Sequence, residues 1–313
     1  MSNFLIKSVV AVSMLAAAPA FAEFPLEDKV TLVVPYSAGG GFDTIARIFA
    51  PAVEAALGAT VVPDNIPGAS GTRGGQAVSR AEADGYTIGI YNIPGLNVAE
   101  ILGRDLGFDL SSVTWIANLA QSKYGIAVVA DSPIRTVQDL CDLGQPIKLS
   151  DTGTNSTSSI TAVIAFDILG CPIVNVTGYS GSNDTMIAVM RGEVDATLKP
   201  ISSLAKYIES GDLRLIATLT EGTVAEGVQN AADLGHPELA QFGLSRVIGG
   251  PADMPAEIVA ILSAAFQIAA ASEEVVAWAD STGTELNWLN AEDTAAMMAE
   301  ISAFYLQYED LLK

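Results

Sequence analysis

Residues 30–57 limit the fold more than any other stretch of the chain. Val30-Thr31-Leu32-Val33-Val34 is a short apolar, β-branched run that reads as a buried strand. Ile45, Ile48, Phe49, Val53, Ala56 and Leu57 then recur at helical spacing, with Pro51 expected to kink or restart the helix and Gly58 to end it. Between the two lies Pro35-Tyr36-Ser37-Ala38-Gly39-Gly40-Gly41-Phe42-Asp43-Thr44. A strand that turns on glycine into a helix leaves unpaired backbone N–H groups at the positive end of the helix dipole. Such a corner holds an anion without any side-chain charge.

The same logic recurs downstream. Thr60-Val61-Val62 runs into Pro67-Gly68-Ala69-Ser70-Gly71-Thr72-Arg73-Gly74-Gly75 and a helix over 76–83, and a strand over 86–91 ends at Asn92-Ile93-Pro94-Gly95. Three β-to-α connections in succession predict an α/β fold with an open, largely parallel sheet, whose ligands bind beyond the carboxyl ends of the strands. A second unit follows over about 120–220. Its hydroxyl-rich turn, Asp151-Thr152-Gly153-Thr154-Asn155-Ser156-Thr157-Ser158-Ser159, precedes a helix, and a further loop spans Thr177 to Asn183. Ser and Thr there are natural N-caps, and their number exceeds what one cap requires. Two α/β halves with facing polar loops imply a cleft between lobes. Residues 221–245 read as loop-rich and the chain from Pro255 as helical.

Charge narrows the partners. There are 36 Asp+Glu against 15 Lys+Arg, a formal net charge of −21. Nucleic acid is excluded as a partner because phosphate backbones require clustered Lys and Arg. Any anionic ligand must be held by local dipoles against the field of the whole molecule. The first 22 residues read as a cleavable export signal: Lys7, an apolar run from Ser8 to Ala18, and an Ala20-Phe21-Ala22 cleavage site that would leave Glu23 first. The alternative, a membrane anchor, suffers from an apolar run too short to span. Export to an oxidising compartment favours a Cys141–Cys171 disulfide over two buried thiols.

Catalytic patterns find little support. Gly39-Gly40-Gly41-Phe42-Asp43-Thr44 is one substitution from a dinucleotide fingerprint, with Asp64 about 20 residues on. Thr44, however, stands where the helix must press on the strand, and Asp43 would repel a pyrophosphate while suiting a helix cap. No Gly-Lys-Ser/Thr or G-x-S-x-G motif is present, and no Cys/His cluster has metal spacing. His236, the single histidine, reads as a surface residue beside Pro237. No enzyme is expected from these residues, and no cofactor or metal.

Val33-Val34-Pro35-Tyr36-Ser37-Ala38-Gly39-Gly40-Gly41-Phe42-Asp43-Thr44-Ile45-Ala46-Arg47 resembles the V-P-[FY]-x-x-G-G-x-x-D-x-x-A-R opening of the solute receptors of tripartite tricarboxylate transporters, the Bug family. Asn65-Ile66-Pro67-Gly68-Ala69-Ser70-Gly71 is similar to that family's N-x-P-G-A-x-G loop, and Asp84-Gly85-Tyr86-Thr87-Ile88 to its D-G-Y-T-[LI]. Tyr179-Ser180-Gly181 with Gly192-Glu193-Val194-Asp195, and Gly211-Asp212-Leu213-Arg214-Leu215-Ile216-Ala217, continue the resemblance in order over almost the whole mature chain.

The resemblance implies a two-lobed, hinged periplasmic-binding-protein fold (type II-like, a Venus flytrap). Residues 23–120 and 243–313 would form one lobe and 121–242 the other. It implies a carboxylate ligand gripped through backbone amides and ordered water. The ligand-binding residues it carries over are Tyr36, Ser37, Gly40, Gly41 and Asp43 from the first loop and Ser70, Gly71 and Thr72 from the second, with Ser156, Thr157, Ser158, Tyr179 and Gly181 from the second lobe. Ser180 stands where a Lys is commoner. Arg73 replaces a small apolar residue and is expected to offer a charge-assisted bond to the ligand. The implied role is a monomeric receptor that delivers its carboxylate to one small and one large multi-span membrane subunit. A sensory receptor of the same fold is the alternative.

Overall fold

The structure, a computed structural model, describes residues 24–25 and 29–313; the expected export signal at 1–22, and Glu23, lie outside the described residues. The first lobe opens with three strand–helix units. They are β1 (Lys29–Val34) and α1 (Gly41–Leu57), β2 (Thr60–Asn65) and α2 (Thr72–Ser79), β3 (Thr87–Ile93) and α3 (Gly95–Ile101). β4 (Thr114–Ser122) leads to the second lobe. That lobe contains β5 (Tyr124–Val129), α4 (Val137–Cys141), β6 (Ile147–Ser150), α5 (Thr157–Ile168), β7 (Ile173–Val176), α6 (Ser182–Met190), β8 (Thr197–Pro200), α7 (Ile201–Glu209) and β9 (Leu213–Thr218). The chain then returns with β10 (Leu244–Gly250), α8 (Ala256–Ala270), α9 (Glu273–Thr282), β11 (Glu285–Leu289), α10 (Ala291–Leu306) and α11 (Glu309–Leu312).

The first lobe is built on a six-stranded sheet of order β11-β4-β10-β3-β1-β2. β1 pairs in parallel with β2 and β3, as the βαβ pattern requires. The expectation of a largely parallel sheet is corrected beyond that point. β10 runs antiparallel to both β3 and β4, and β11 antiparallel to β4. Both are strands of the returning chain, where the sequence reads as loop and helix. Leu244-Ser245-Arg246-Val247-Ile248-Gly249-Gly250 lacks clean alternation because every one of its side chains is buried, Arg246 included. The second lobe has β5 between β8 and β9, all antiparallel. The parallel pair β6–β7 continues that sheet through a Leu149–Ala196 bridge.

α1 seats Ile45, Phe49 and Val53 in the core, each about 1.5–3 kcal/mol of burial. It does not break at Pro51. That residue lies on the exposed face of the helix, one turn after the exposed Arg47. Gly58 closes the helix in the left-handed region at φ 72°, its N–H bonding to the Glu54 carbonyl.

The lobes are joined at Lys123 and by the segment entering β10. Lys123 Nζ donates to the Ala240 carbonyl at 2.8 Å, which ties one crossing to the other. Pairing with β10 extends along β4 to Ser122. In the second lobe a disulfide joins Cys141, at the end of α4, to Cys171, beyond α5. It closes a loop of 30 residues, so the Cys141→Ser/Cys171→Ser double variant is expected to lose about 3–4 kcal/mol of unfolding free energy. Urea denaturation of oxidised wild type against the double variant measures this, and a loss below about 1 kcal/mol contradicts it.

Candidate functional site

A cavity lies between the lobes at the carboxyl ends of β1, β3 and β8. Four helices from the two lobes begin at its wall. Gly41 and Phe42 open α1, Ser156 to Ser158 cap and open α5, Ser182 opens α6, and Pro200 with Ser203 lies at the start of α7. The amides of Gly41, Phe42, Thr157 and Ser158 have no backbone or side-chain acceptor among the described residues. Each helix start carries a fraction of a positive charge, so the four sum to a strong local field of the sign opposite to that of the whole molecule.

Two cationic side chains reach the same wall. Lys199, on β8 and 2% exposed, is paired with Asp151 at 2.7 Å and donates to Ser158 Oγ at 2.8 Å. Asp151 also accepts from the Thr152 amide at 2.7 Å, from Ser158 Oγ at 2.7 Å, and from Ser156 Oγ. Burial pushes the Lys199 ammonium down from its usual range, and Asp151 opposes that shift. Arg246, on β10 and 1% exposed, is different. Its Nη1 donates to Ser122 Oγ at 2.6 Å and its Nη2 to Ser202 Oγ at 3.2 Å, while the guanidinium lies 5.6 Å from the centre of the Phe42 ring. Among the described residues it makes no ion pair with a carboxylate and its Nε has no hydrogen-bond partner. Burial pushes its pKa down to about 10, with Tyr124 opposing, so it remains a cation at neutral pH.

The expected site residues divide into several groups. Tyr36, Gly40, Gly41, Ser156, Thr157 and Ser158 all line the cavity. Tyr36 does so with its hydroxyl already occupied, donating to the Ser70 carbonyl at 2.9 Å and accepting from Asn92 Nδ2 at 2.5 Å. Ser37 and Gly181 face each other across the rim, where the Ser37 amide donates to the Ser180 carbonyl at 3.4 Å. Asp43 belongs to the support behind the first loop. Its carboxylate, 3% exposed, accepts from the Gly39 amide at 2.7 Å, from Arg47 Nε at 2.9 Å and from Asn65 Nδ2 at 3.0 Å. Burial raises its pKa, but the bonds from Arg47, Gly39 and Asn65 outweigh burial and hold it below the usual carboxylate range.

Residues 67–75 of the second loop are not part of the cavity lining. Ser70, Gly71 and Thr72 sit behind Tyr36, and Ser70 also meets Gly153 of the opposite lobe. Arg73 is exposed and folded over Gly68: Thr72, one position earlier on α2, faces inward, and successive helical residues point about 100° apart. Tyr179 lies half-buried outside the cavity beside Glu193, 3.4 Å from its carboxylate.

Sequence reasoning passed over Asn92, Tyr124, Lys199, Ser203 and Arg246. A readable signal exists for two of them. A charged residue inside an apolar strand must be paired or functional, because burying an isolated charge is prohibitive. Lys199 follows Ala196-Thr197-Leu198, and Arg246 stands between Leu244 and Val247-Ile248.

The two lobes meet around the cavity. Thr157 Oγ1 donates to Asn92 Oδ1 at 2.6 Å and accepts from the Gly95 amide at 2.8 Å, and Arg104 donates to Asn155 Oδ1. Glycines mark the closest approaches. A Cβ at Gly41 would collide with Ser203 Oγ, and one at Gly153 with Ser70 Oγ. Among the described residues no group of three or more His, Cys, Asp or Glu is arranged to hold a metal ion.

The family model described as tripartite tricarboxylate transporter family receptor matches residues 45–304. A UPF0065 protein of Bordetella bronchiseptica is 28% identical over 277 residues, 87% of this chain and 82% of the relative. Among solved structures, the periplasmic binding protein BugD superposes with a TM-score of 0.84 at 23% identity, over 90% of this chain and 97% of its own. MatC from Rhodopseudomonas palustris, solved with bound malate, superposes with a TM-score of 0.84 at 22% identity, over 93% of this chain and 100% of its own.

Proposed function

We propose that this chain, which belongs to the tripartite tricarboxylate transporter receptor family, captures a small carboxylate outside the inner membrane and delivers it to multi-span transporter subunits. One observation carries the reading. Four helix starts from two lobes and the unneutralised Arg246 converge on a single cavity in a protein of net charge −21. So much concentrated positive potential in an acidic molecule suits an anion, and helix-start amides suit a carboxylate. Bound malate in the similarly folded MatC supports the same ligand class. The division of lobes at about 120 and 243 belongs to this reading and is supported by which strands share a sheet. So does a periplasmic location after loss of residues 1–22.

A thermal-shift series with di- and tricarboxylates tests capture. A true ligand at 100 times its dissociation constant adds about 2.7 kcal/mol, a rise of about 4–5 °C in the unfolding midpoint for a chain of this length. If no carboxylate in the series moves the midpoint, the reading fails. Delivery is tested separately, by uptake into vesicles carrying the membrane subunits. Uptake should depend on added receptor.

A further inference from the structure

We propose that the back of the hinge carries a second binding site, separate from the cavity between the lobes, for a zwitterionic amino acid with an apolar side chain.

The two segments that join the lobes run as strand or extended chain, so their side chains alternate between two faces. Ser122, Tyr124, Leu244 and Arg246 turn one way: Ser122 bonds to Arg246, and the other three line the cavity between the lobes. Gln121, Lys123, Gly243 and Ser245 turn the other way and line a second cavity, of about 200 Å³. The two cavities share no lining residue. α10 forms the apolar wall of the second one with Ile301, Phe304 and Tyr305. Phe304 packs edge-on against Tyr305 at 5.0 Å and against Phe242 at 5.6 Å, so this wall is held in place by its own packing.

The polar groups around that wall lack partners. Ser245 is 4% exposed, yet its hydroxyl reaches only the Met297 sulfur at 4.0 Å, a weak acceptor. Lys123 gives one of its three N–H donors to the Ala240 carbonyl and pairs with no described carboxylate. Glu300, at the exposed rim, pairs with no described cation, and the side chains of Gln121 and Gln241 bond to no described residue.

This combination of groups selects the ligand. An anion alone would match Lys123 and face Glu300, and a cation alone would do the reverse. An α-amino acid carries a carboxylate for Lys123 and an ammonium for Glu300 on one carbon, and an apolar side chain covers Ile301 and Phe304. Being neutral overall, it enters without working against a molecular charge of −21.

Isothermal titration of the purified chain tests this with L-leucine and two analogues that each lack one charge, 4-methylpentanoate and 3-methylbutylamine. Leucine is expected to bind at one site per chain and about 10-fold tighter than either analogue. Gly243→Leu should abolish leucine binding by occupying the cavity: a Cβ at Gly243 meets only the Ser122 carbonyl, at 3.6 Å, and the rest of the side chain enters the open space. Glu300→Gln, at an exposed position, guards against a folding defect in the first variant and should weaken leucine about 10-fold, to the level of 4-methylpentanoate. Absence of leucine binding, an analogue that matches leucine, or a wild-type leucine affinity in either variant overturns the proposal. Carboxylate capture stands or falls separately, by its own thermal-shift series, on residues that neither variant replaces.

Discussion

Gly41→Val is expected to abolish ligand capture, with affinity falling at least 100-fold, while the protein stays folded. Gly41 is the first residue of α1, and any ordinary side chain suits that position as well as glycine does. What valine cannot do there is face the other lobe. Its Cβ would collide with Ser203 Oγ at the start of α7, and Arg246 Nη2 would lie only 3.7 Å away. The collision exists only when the lobes are together, so the variant is held open and the cavity is not completed. Titration calorimetry measures the affinity, and small-angle scattering at saturating ligand reports whether the particle contracts. Wild-type affinity would show that the lobes close by another path. Gly40 supplies the contrast. A Cβ there lies 3.8 Å from the Ser182 amide across the cleft and 3.3 Å from the Ser37 carbonyl of its own turn, so the cross-cleft collision is at Gly41.

Lys199→Met is expected to cost about 3–5 kcal/mol of unfolding free energy, through the partner it abandons. Asp151 is 2% exposed, and removing the ammonium 2.7 Å away leaves a buried carboxylate whose charge is balanced by hydroxyls and the Thr152 and Gly153 amides. A second change, Asp151→Asn, removes the stranded charge, so the double variant should be more stable than Lys199→Met alone. Urea denaturation of the two single variants and the double variant yields the coupling energy directly. A coupling below about 1 kcal/mol would mean that water screens the pair. The ion pair shapes the cavity as well as the core, because Lys199 also fixes Ser158 at the start of α5.

Much of the scaffold was legible from the chain alone, for a physical reason. Apolar periodicity, glycine turns and hydroxyl caps act over a few residues, and they place β1 to α1, the two following strand–helix units and the start of α5. The residues these local rules position, Gly40, Gly41 and Ser156 to Ser158, do reach the cavity. The ordered motifs also identify the receptor family that the family model matches over residues 45–304. Local rules do not say which way a polar side chain faces. Asp43, Arg73 and Tyr179 sit within or beside the expected loops, yet the first braces the turn, the second faces solvent and the third meets Glu193.

Sheet order and charge pairing were decided only by the tertiary structure. Arg246 bonds to Ser122 across 124 residues because β10 inserts between β3 and β4, a placement that no local pattern in Leu244–Gly250 encodes. Whether a buried cation is structural or available depends on what the fold brings within a few ångströms of it. Lys199 finds Asp151, 48 residues back in the chain, and Arg246 finds no carboxylate. Local sequence thus determined that a glycine turn with free helix-start amides exists. Long-range packing determined which charge beside it remains unspent, since desolvation and Coulomb energies depend on distances in space and not along the chain.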